Sequence, residues 1–176
     1  KTIDLGRVGE VEAVDPTVIT ALTKSDFIPV IAPVGVDEKG HTYNVNADLV
    51  AGKVAAALGA EKLILLTDVE GGLDAGKRLM SALGVDDVKR LMHEGAIKGG
   101  MIPKVECCMT ALREGVKATH IIDGRVPHAV LLEIFTRGGV GTEVVPDKPA
   151  VAEKGTRTAV RRLPPRPPAR KKSASR

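Results

Sequence analysis

Ile102, Val105, Met109, Leu112 and Val116 recur at alternating intervals of three and four, between two short strand-like runs, Leu63–Leu66 and Thr119–Ile122. The spacing predicts an amphipathic helix, and the bounded runs predict buried strands. A helix between two buried strands is a parallel crossover unit, and such units are right-handed. The alternation extends along the chain. Phe27–Ala32 is a continuous apolar run that predicts another buried strand. Ala47–Leu58 reads as a helix with Val50, Val54 and Leu58 on its apolar face and Gly59 as its stop. Val85–His93 reads as a helix carrying Asp86 and Asp87 in its first turn. Val130–Phe135 reads as a short helix, Gly141–Val145 as an edge strand, and Val34–Asn44, with Gly35 and Gly40, as a projecting hairpin. The expected class is α/β with a mainly parallel sheet. Such sheets bind ligands at the C-terminal ends of their strands. Here those ends are Thr67-Asp68, Asp123-Gly124 and the loop after Ala32.

The core of this fold must be aliphatic, because Phe27, Phe135 and Tyr43 are the only aromatic residues. Charge is divided along the sequence. Residues 151–176 hold nine basic residues and one acidic residue, whereas residues 1–150 hold 17 basic and 21 acidic. An acidic body argues against a nucleic-acid binder, and the basic stretch lacks the interleaved aromatics that would favour one. The Pro/Arg/Lys-rich stretch offers little to bury, so residues 147–176 are expected to form a disordered tail on a domain of residues 1–146. Cys107 and Cys108 are adjacent, which suits reduced thiols in a helix better than a disulfide framework. No Cys/His spacing predicts a metal site, and no apolar run has the length of a membrane span. Lys1 stands where an initiator Met would, so a fragment of a longer protein is expected.

Two segments carry the chemistry. Tyr43-Asn44-Val45-Asn46-Ala47-Asp48 opens one predicted helix, and Gly99-Gly100-Met101-Ile102-Pro103-Lys104 opens another. Helix N-termini gather unpaired N–H groups and partial positive charge, which suit phosphates and carboxylates. Asp48 is also what a first turn selects for its macrodipole alone, and the two asparagines also suit a turn. Lys104 lies one turn into its helix, from where it can reach back over a phosphate; an ordinary solvated lysine has the same sequence signature. Pro103 fits a first-turn position. Thr67-Asp68 after a buried strand reads either as a nucleotide contact or as a strand-end turn. His120 and Glu133 flank a helix start and can face one another. Gly138–Thr142 reads as a tight connection.

Together these motifs resemble the acetylglutamate kinases of the amino-acid kinase superfamily, over about Thr2–Val145. Asp123-Gly124-Arg125-Val126-Pro127-His128, Leu131–Thr136 and Gly141-Thr142 are similar to that family as well. The resemblance implies an αβα sandwich around a mainly parallel sheet, with the N-terminal half missing. It implies ATP-dependent phosphorylation, with Mg²⁺, of the side-chain carboxylate of N-acetyl-L-glutamate, a cytoplasmic step of arginine biosynthesis. Asp48 and Lys104 would be catalytic. Asn44 and Asn46 would bind substrate; Thr67, Asp68, Gly99, Gly100 and Met101 would bind the nucleotide. Residues His120, Glu133 and Gly139 match part of the effector site of arginine-inhibited members. A homo-oligomer is implied for the full-length protein, with no membrane or nucleic-acid partner. The chain would begin after the family's first catalytic lysine, its two glycine-rich turns and a substrate-binding arginine, so it is expected to be inactive alone. The competing reading is a non-catalytic nucleotide- or protein-binding module.

Overall fold

The computed structural model describes residues 6–72, 76 and 78–147. Helix α1 is Thr17–Lys24; strands β1 (Val34–Val36) and β2 (Thr42–Asn44) form an antiparallel hairpin. Helix α2 (Ala47–Ala57) and strand β3 (Lys62–Thr67) follow, then β4 (Ala82–Gly84), α3 (Val85–His93), α4 (Met101–Arg113), β5 (Ala118–Asp123), α5 (Ala129–Phe135) and β6 (Thr142–Val145). The main sheet has the order β3-β5-β6-β4. Strands β3 and β5 are parallel, as are β4 and β6, while β5 and β6 are antiparallel. The expected mainly parallel α/β sheet is present, with one antiparallel pair.

Strand β5 is buried at all six positions, as a strand covered on both faces must be. Its alternation divides the layers. Ile121 joins Val105, Leu112, Leu63 and Leu65 in the core beneath α4. His120, one residue earlier, points to the other face and meets Glu133 of α5. Helix α4 buries Val105, Cys107, Cys108, Met109, Ala111 and Leu112, the face its spacing predicted. Thr67 pairs with Asp123, so the C-terminal ends of β3 and β5 lie side by side.

Three expectations are corrected. Phe27–Ala32 is not a strand, and among the described residues no neighbouring strand pairs with it. The strand state needs a partner for its backbone groups, which a local run cannot supply. The last strand is interior rather than at the edge, because β4, three residues long and unforeseen, pairs along its outer side. On α2 the buried residues are Gly52 and Ala55, while Val50 and Val54 are half-buried and Leu58 is exposed. Small residues win that face because α2 packs closely on α4. A Cβ at Gly52 would lie 3.0 Å from the Cys107 Sγ. The Lys53–Glu114 ion pair ties the same two helices together.

The stretch expected to be a disordered tail lies outside the described residues, apart from its first residue. Asp147 is placed, and its carboxylate accepts a hydrogen bond from the Asp86 amide at the start of α3 (3.1 Å).

Both cysteines are buried free thiols, as their adjacency suggested. Burial pushes the Cys107 thiol up to about 11 and the Cys108 thiol to about 12. Little of Cys107 is then thiolate near neutral pH, and the thiolate is the reactive form. Labelling of the native chain with a thiol-disulfide reagent should therefore be slow and should become complete only in denaturant. Two fast-reacting thiols under native conditions would contradict this packing.

Candidate functional site

The N-termini of α2 and α4 converge. Asn46 caps α2, its side-chain oxygen accepting hydrogen bonds from the amides of Asp48 (2.9 Å) and Leu49 (3.3 Å). This is the role that favours Asn at a helix start, typically worth about 1 kcal/mol against Ala. It fixes Asp48 in the first turn. From α4, Lys104 Nζ reaches Asp48 Oδ2 at 3.1 Å. Both side chains are about three-quarters buried, at 23% and 24% exposed. The Cys107 thiol, one turn along α4, donates to the Asp48 carbonyl at 2.9 Å and pins the backbone beneath the pair. The two sequence segments are thus brought together at their acidic and basic members.

Gly99 and Gly100 lead into α4. Gly99 has φ +59°, in the left-handed region that glycine adopts freely. Nothing lies within 4 Å of where a Cβ would sit on either glycine, so the approach to the helix end is open. The Met101 and Ile102 amides turn back onto the Lys98 and Gly99 carbonyls. Asn44 ends β2. Its backbone pairs with the 7–9 segment through Asn44 N to Arg7 O and Gly9 N to Asn44 O, and its side chain is exposed. The hairpin behind it is stiffened by Asp37, which accepts from the Tyr43 hydroxyl at 3.1 Å and from the Lys39 and His41 amides at 2.9 Å.

Thr67 ends β3 beside Asp123, the end of β5, and Asp68 follows it. The Thr67 hydroxyl bonds both the amide and the carbonyl of Val69 at 3.0 Å, turning the chain, while Asp68 is exposed. Gly124 donates to the Thr67 carbonyl at 2.8 Å. Beside it Arg125 grips Asp123 through Nε (2.9 Å) and Nη2 (2.8 Å). That grip and the Arg125 amide bring the Asp123 carboxyl down to about 2. Asp123, then Asp68 and Glu70, raise the Arg125 pKa.

His120, Glu133 and Gly139 form one cluster, with the His120 and Glu133 side chains buried and Gly139 half-buried. His120 Nδ1 lies 2.8 Å from Glu133 Oε1, each side chain 5% exposed. Glu133 Oε2 accepts from the amides of Val140 (2.7 Å) and Gly141 (3.0 Å). Burial works against the charged Glu133, but these amides and the His120 ring outweigh it and hold its carboxyl below the usual value. Gly139 has φ +60°, and a Cβ there would lie 2.6 Å from Glu133 Oε2, so the loop needs glycine. Lys62 Nζ meets His120 Nε2 at 3.0 Å, and Glu143 stands 3.6 Å from the same nitrogen. The sequence did not single out Lys62 or Glu143. Charged residues at strand ends read as solvated, and only the β3–β5–β6 register shows what they face.

The sequence model of the Amino acid kinase family matches residues 1–123. The chain belongs to the amino acid kinase family. Among its relatives are the acetylglutamate kinases of Acinetobacter baumannii, 65% identical over 142 residues, and of Solidesulfovibrio magneticus, 59% identical over 143 residues. The first match covers 81% of this chain and 47% of the relative, so the chain spans about half the length of the curated relatives it matches. An N-acetylglutamate synthase from Neisseria gonorrhoeae, complexed with coenzyme A and L-arginine, superposes with a TM-score of 0.75 at 26% identity, over 81% of this chain and 33% of that one. A carbamate kinase from Giardia lamblia bound to AMP-PNP shares the fold, with a TM-score of 0.59 at 22% identity, over 78% of this chain and 46% of that one. These likenesses agree with the αβα arrangement expected of amino acid kinases. Among the described residues no helix is long and apolar enough to cross a membrane.

Proposed function

We propose that this chain supplies half of the site of an acetylglutamate kinase, which transfers the γ-phosphoryl of ATP to the side-chain carboxylate of N-acetyl-L-glutamate in cytoplasmic arginine biosynthesis. The observation that carries this reading is the Lys104–Asp48 pair at 3.1 Å, formed between two helix N-termini. Phosphoryl transfer needs little covalent help from a protein. It needs reactants in line and positive charge where negative charge moves. Lys104 supplies that charge, and Asp48 holds it in place. The acceptor carboxylate is itself the nucleophile, so no covalent enzyme intermediate is required. Gly99, Gly100 and Met101 give the phosphates an open helix end. Thr67 and Asp68 meet the rest of the nucleotide at the strand ends. Asn44 and Asn46 hold acetylglutamate through amides, which add no charge beside the incoming phosphate.

Among the described residues no three His, Cys, Asp or Glu side chains converge on a metal position. Mg²⁺ therefore enters this reading only as the ion carried by the ATP phosphates, and no step is assigned to it. In the same reading His120, Glu133 and Gly139 border an arginine effector site. Support comes from the carboxylates of Glu133 and Glu143 gathered around His120. The full-length kinase is read as a homo-oligomer.

The test is a chimera in which this chain replaces the matched part of the Acinetobacter baumannii acetylglutamate kinase. With ATP, acetylglutamate and hydroxylamine it should form the acyl hydroxamate that traps an acyl phosphate. ADP release without hydroxamate, or equal turnover with carbamate as acceptor, would overturn the reading. In this chimera Asn44→Ala should raise the KM for acetylglutamate roughly tenfold, the cost of one ordinary hydrogen bond, and leave the KM for ATP nearly unchanged. A change confined to ATP would place Asn44 on the wrong half-site.

A further inference from the structure

The Thr142 hydroxyl is buried, bonded twice, and aimed at the far end of the turn that follows β3. Thr142 is 1% exposed. Its Oγ1 accepts a hydrogen bond from the Gly72 amide at 2.8 Å and donates one to the Met80 carbonyl at 2.7 Å. The Met80 amide in turn donates to the Gly72 carbonyl at 2.8 Å. One oxygen therefore fastens Gly72 and Met80 to each other and to β6. Thr142 is itself fixed by the sheet. It pairs with Ile121 of β5, and the Glu143 amide beside it donates to the Ser81 carbonyl at 2.9 Å.

The chain at Gly71-Gly72 is shaped to admit this hydroxyl. Gly71 has φ +138°, and a Cβ there would lie 2.6 Å from Thr142 Oγ1 and 3.2 Å from Thr142 N. Both glycines are buried. Only a residue without a Cβ allows that approach. A threonine thus stands at each end of the turn. Thr67 Oγ1 bonds Val69 at its start, and Thr142 Oγ1 holds Gly72 at its finish. Between the two anchors Asp68 and Glu70 are exposed. The turn lies at the C-terminal end of β3, where sheets of this class bind ligands. Among the described residues the Thr142 hydroxyl bonds neither the Lys104–Asp48 pair nor Asn44 and Asn46. On the reading that the nucleotide lies over the end of β3, we propose that Thr142 is a positioning residue of the ATP half-site. It acts through Gly72, holding the Asp68–Gly72 turn where the nucleotide meets it, and leaves acetylglutamate binding alone.

Thr142→Val keeps the shape of the side chain and removes the hydroxyl. The buried Gly72 amide then loses its acceptor. In the chimera the KM for ATP should rise at least ~10-fold, while the KM for acetylglutamate stays within about twofold. Thr142→Ser keeps the hydroxyl and should keep both values. In the full chain by itself, the Gly72 amide of Thr142→Val should exchange at least ~10-fold faster, with the β5 amides unchanged. If Thr142→Val does not fold, Gly71→Ala decides. It crowds the hydroxyl with Thr142 intact and should raise the KM for ATP alone. An unchanged KM for ATP in the folded variant would overturn the proposal. So would equal rises in both KM values, or a Thr142→Ser protein as impaired as Thr142→Val. Failure of the kinase reading itself shows separately, as a parent chimera that forms no hydroxamate.

Discussion

In the chimera, Lys104→Ala is expected to lower kcat by about 10²–10³-fold while the KM for either substrate changes little. Asp48→Asn should do the same, for a different reason. In the proposed reading Lys104 acts on charge that moves from the γ-phosphate to its new acceptor, an interaction stronger in the transition state than in the ground state. In that reading Asp48 acts through the lysine, whose Nζ lies 3.1 Å from its Oδ2. The Cys107 thiol and the Asn46 cap hold Asp48 in turn. Steady-state kinetics with each substrate varied in turn checks both variants. A Lys104→Ala protein that keeps most of its kcat and loses only ATP affinity would make the lysine a binding residue.

The second large effect is on stability. Gly141→Ala should destabilise the chain by roughly 3 kcal/mol, because overpacking against main chain has no flexible side chain to yield. A Cβ at Gly141 would collide with the Ile121 carbonyl oxygen and lie 2.5 Å from Ile122 Cγ2, on the central strand. The same displacement would pull the Gly141 amide from Glu133 Oε2, which it meets at 3.0 Å. The melting temperature should fall by about 6–12 °C for a chain of this size. Gly100→Ala is the control. Its φ is −64° and its Cβ would meet nothing within 4 Å, so thermal unfolding should barely move. Equal melting temperatures for the two variants would mean that the β5–β6 packing is wrong.

Much of the fold was legible where local pattern and tertiary demand agree. The steps from Ile102 to Val116 gave α4, and the helical pattern of Ala47–Leu58 gave α2. Elsewhere the deciding quantity was not local. Val50 and Val54 outrank Gly52 and Ala55 in hydrophobicity, but the closeness of α2 to α4 selects small residues, and periodicity does not weigh closeness. Phe27–Ala32 has the composition of a buried strand, yet strands exist only in pairs. Strand β4 is three residues long and carries no periodic signal; it exists because β6 offers it an edge. The site divided in the same way. Asp48 and Lys104 were visible as helix-start residues, but the ion pair joins residues 56 apart. The cluster at His120 and Glu133 was readable only as a chance to meet. Its lysine, Lys62, and second carboxylate, Glu143, became visible through strand register.

In the proposed reading Asp48 and Lys104 are one catalytic unit. The measurement that tests it most directly is a double-mutant cycle on kcat in the chimera, with Asp48→Asn, Lys104→Ala and the pair together. If Asp48 works by holding Lys104, the double variant should be no slower than Lys104→Ala alone, since residues acting as a unit are far from additive. Losses that multiply would mean that the two side chains act independently, and that their 3.1 Å contact is an ordinary ion pair.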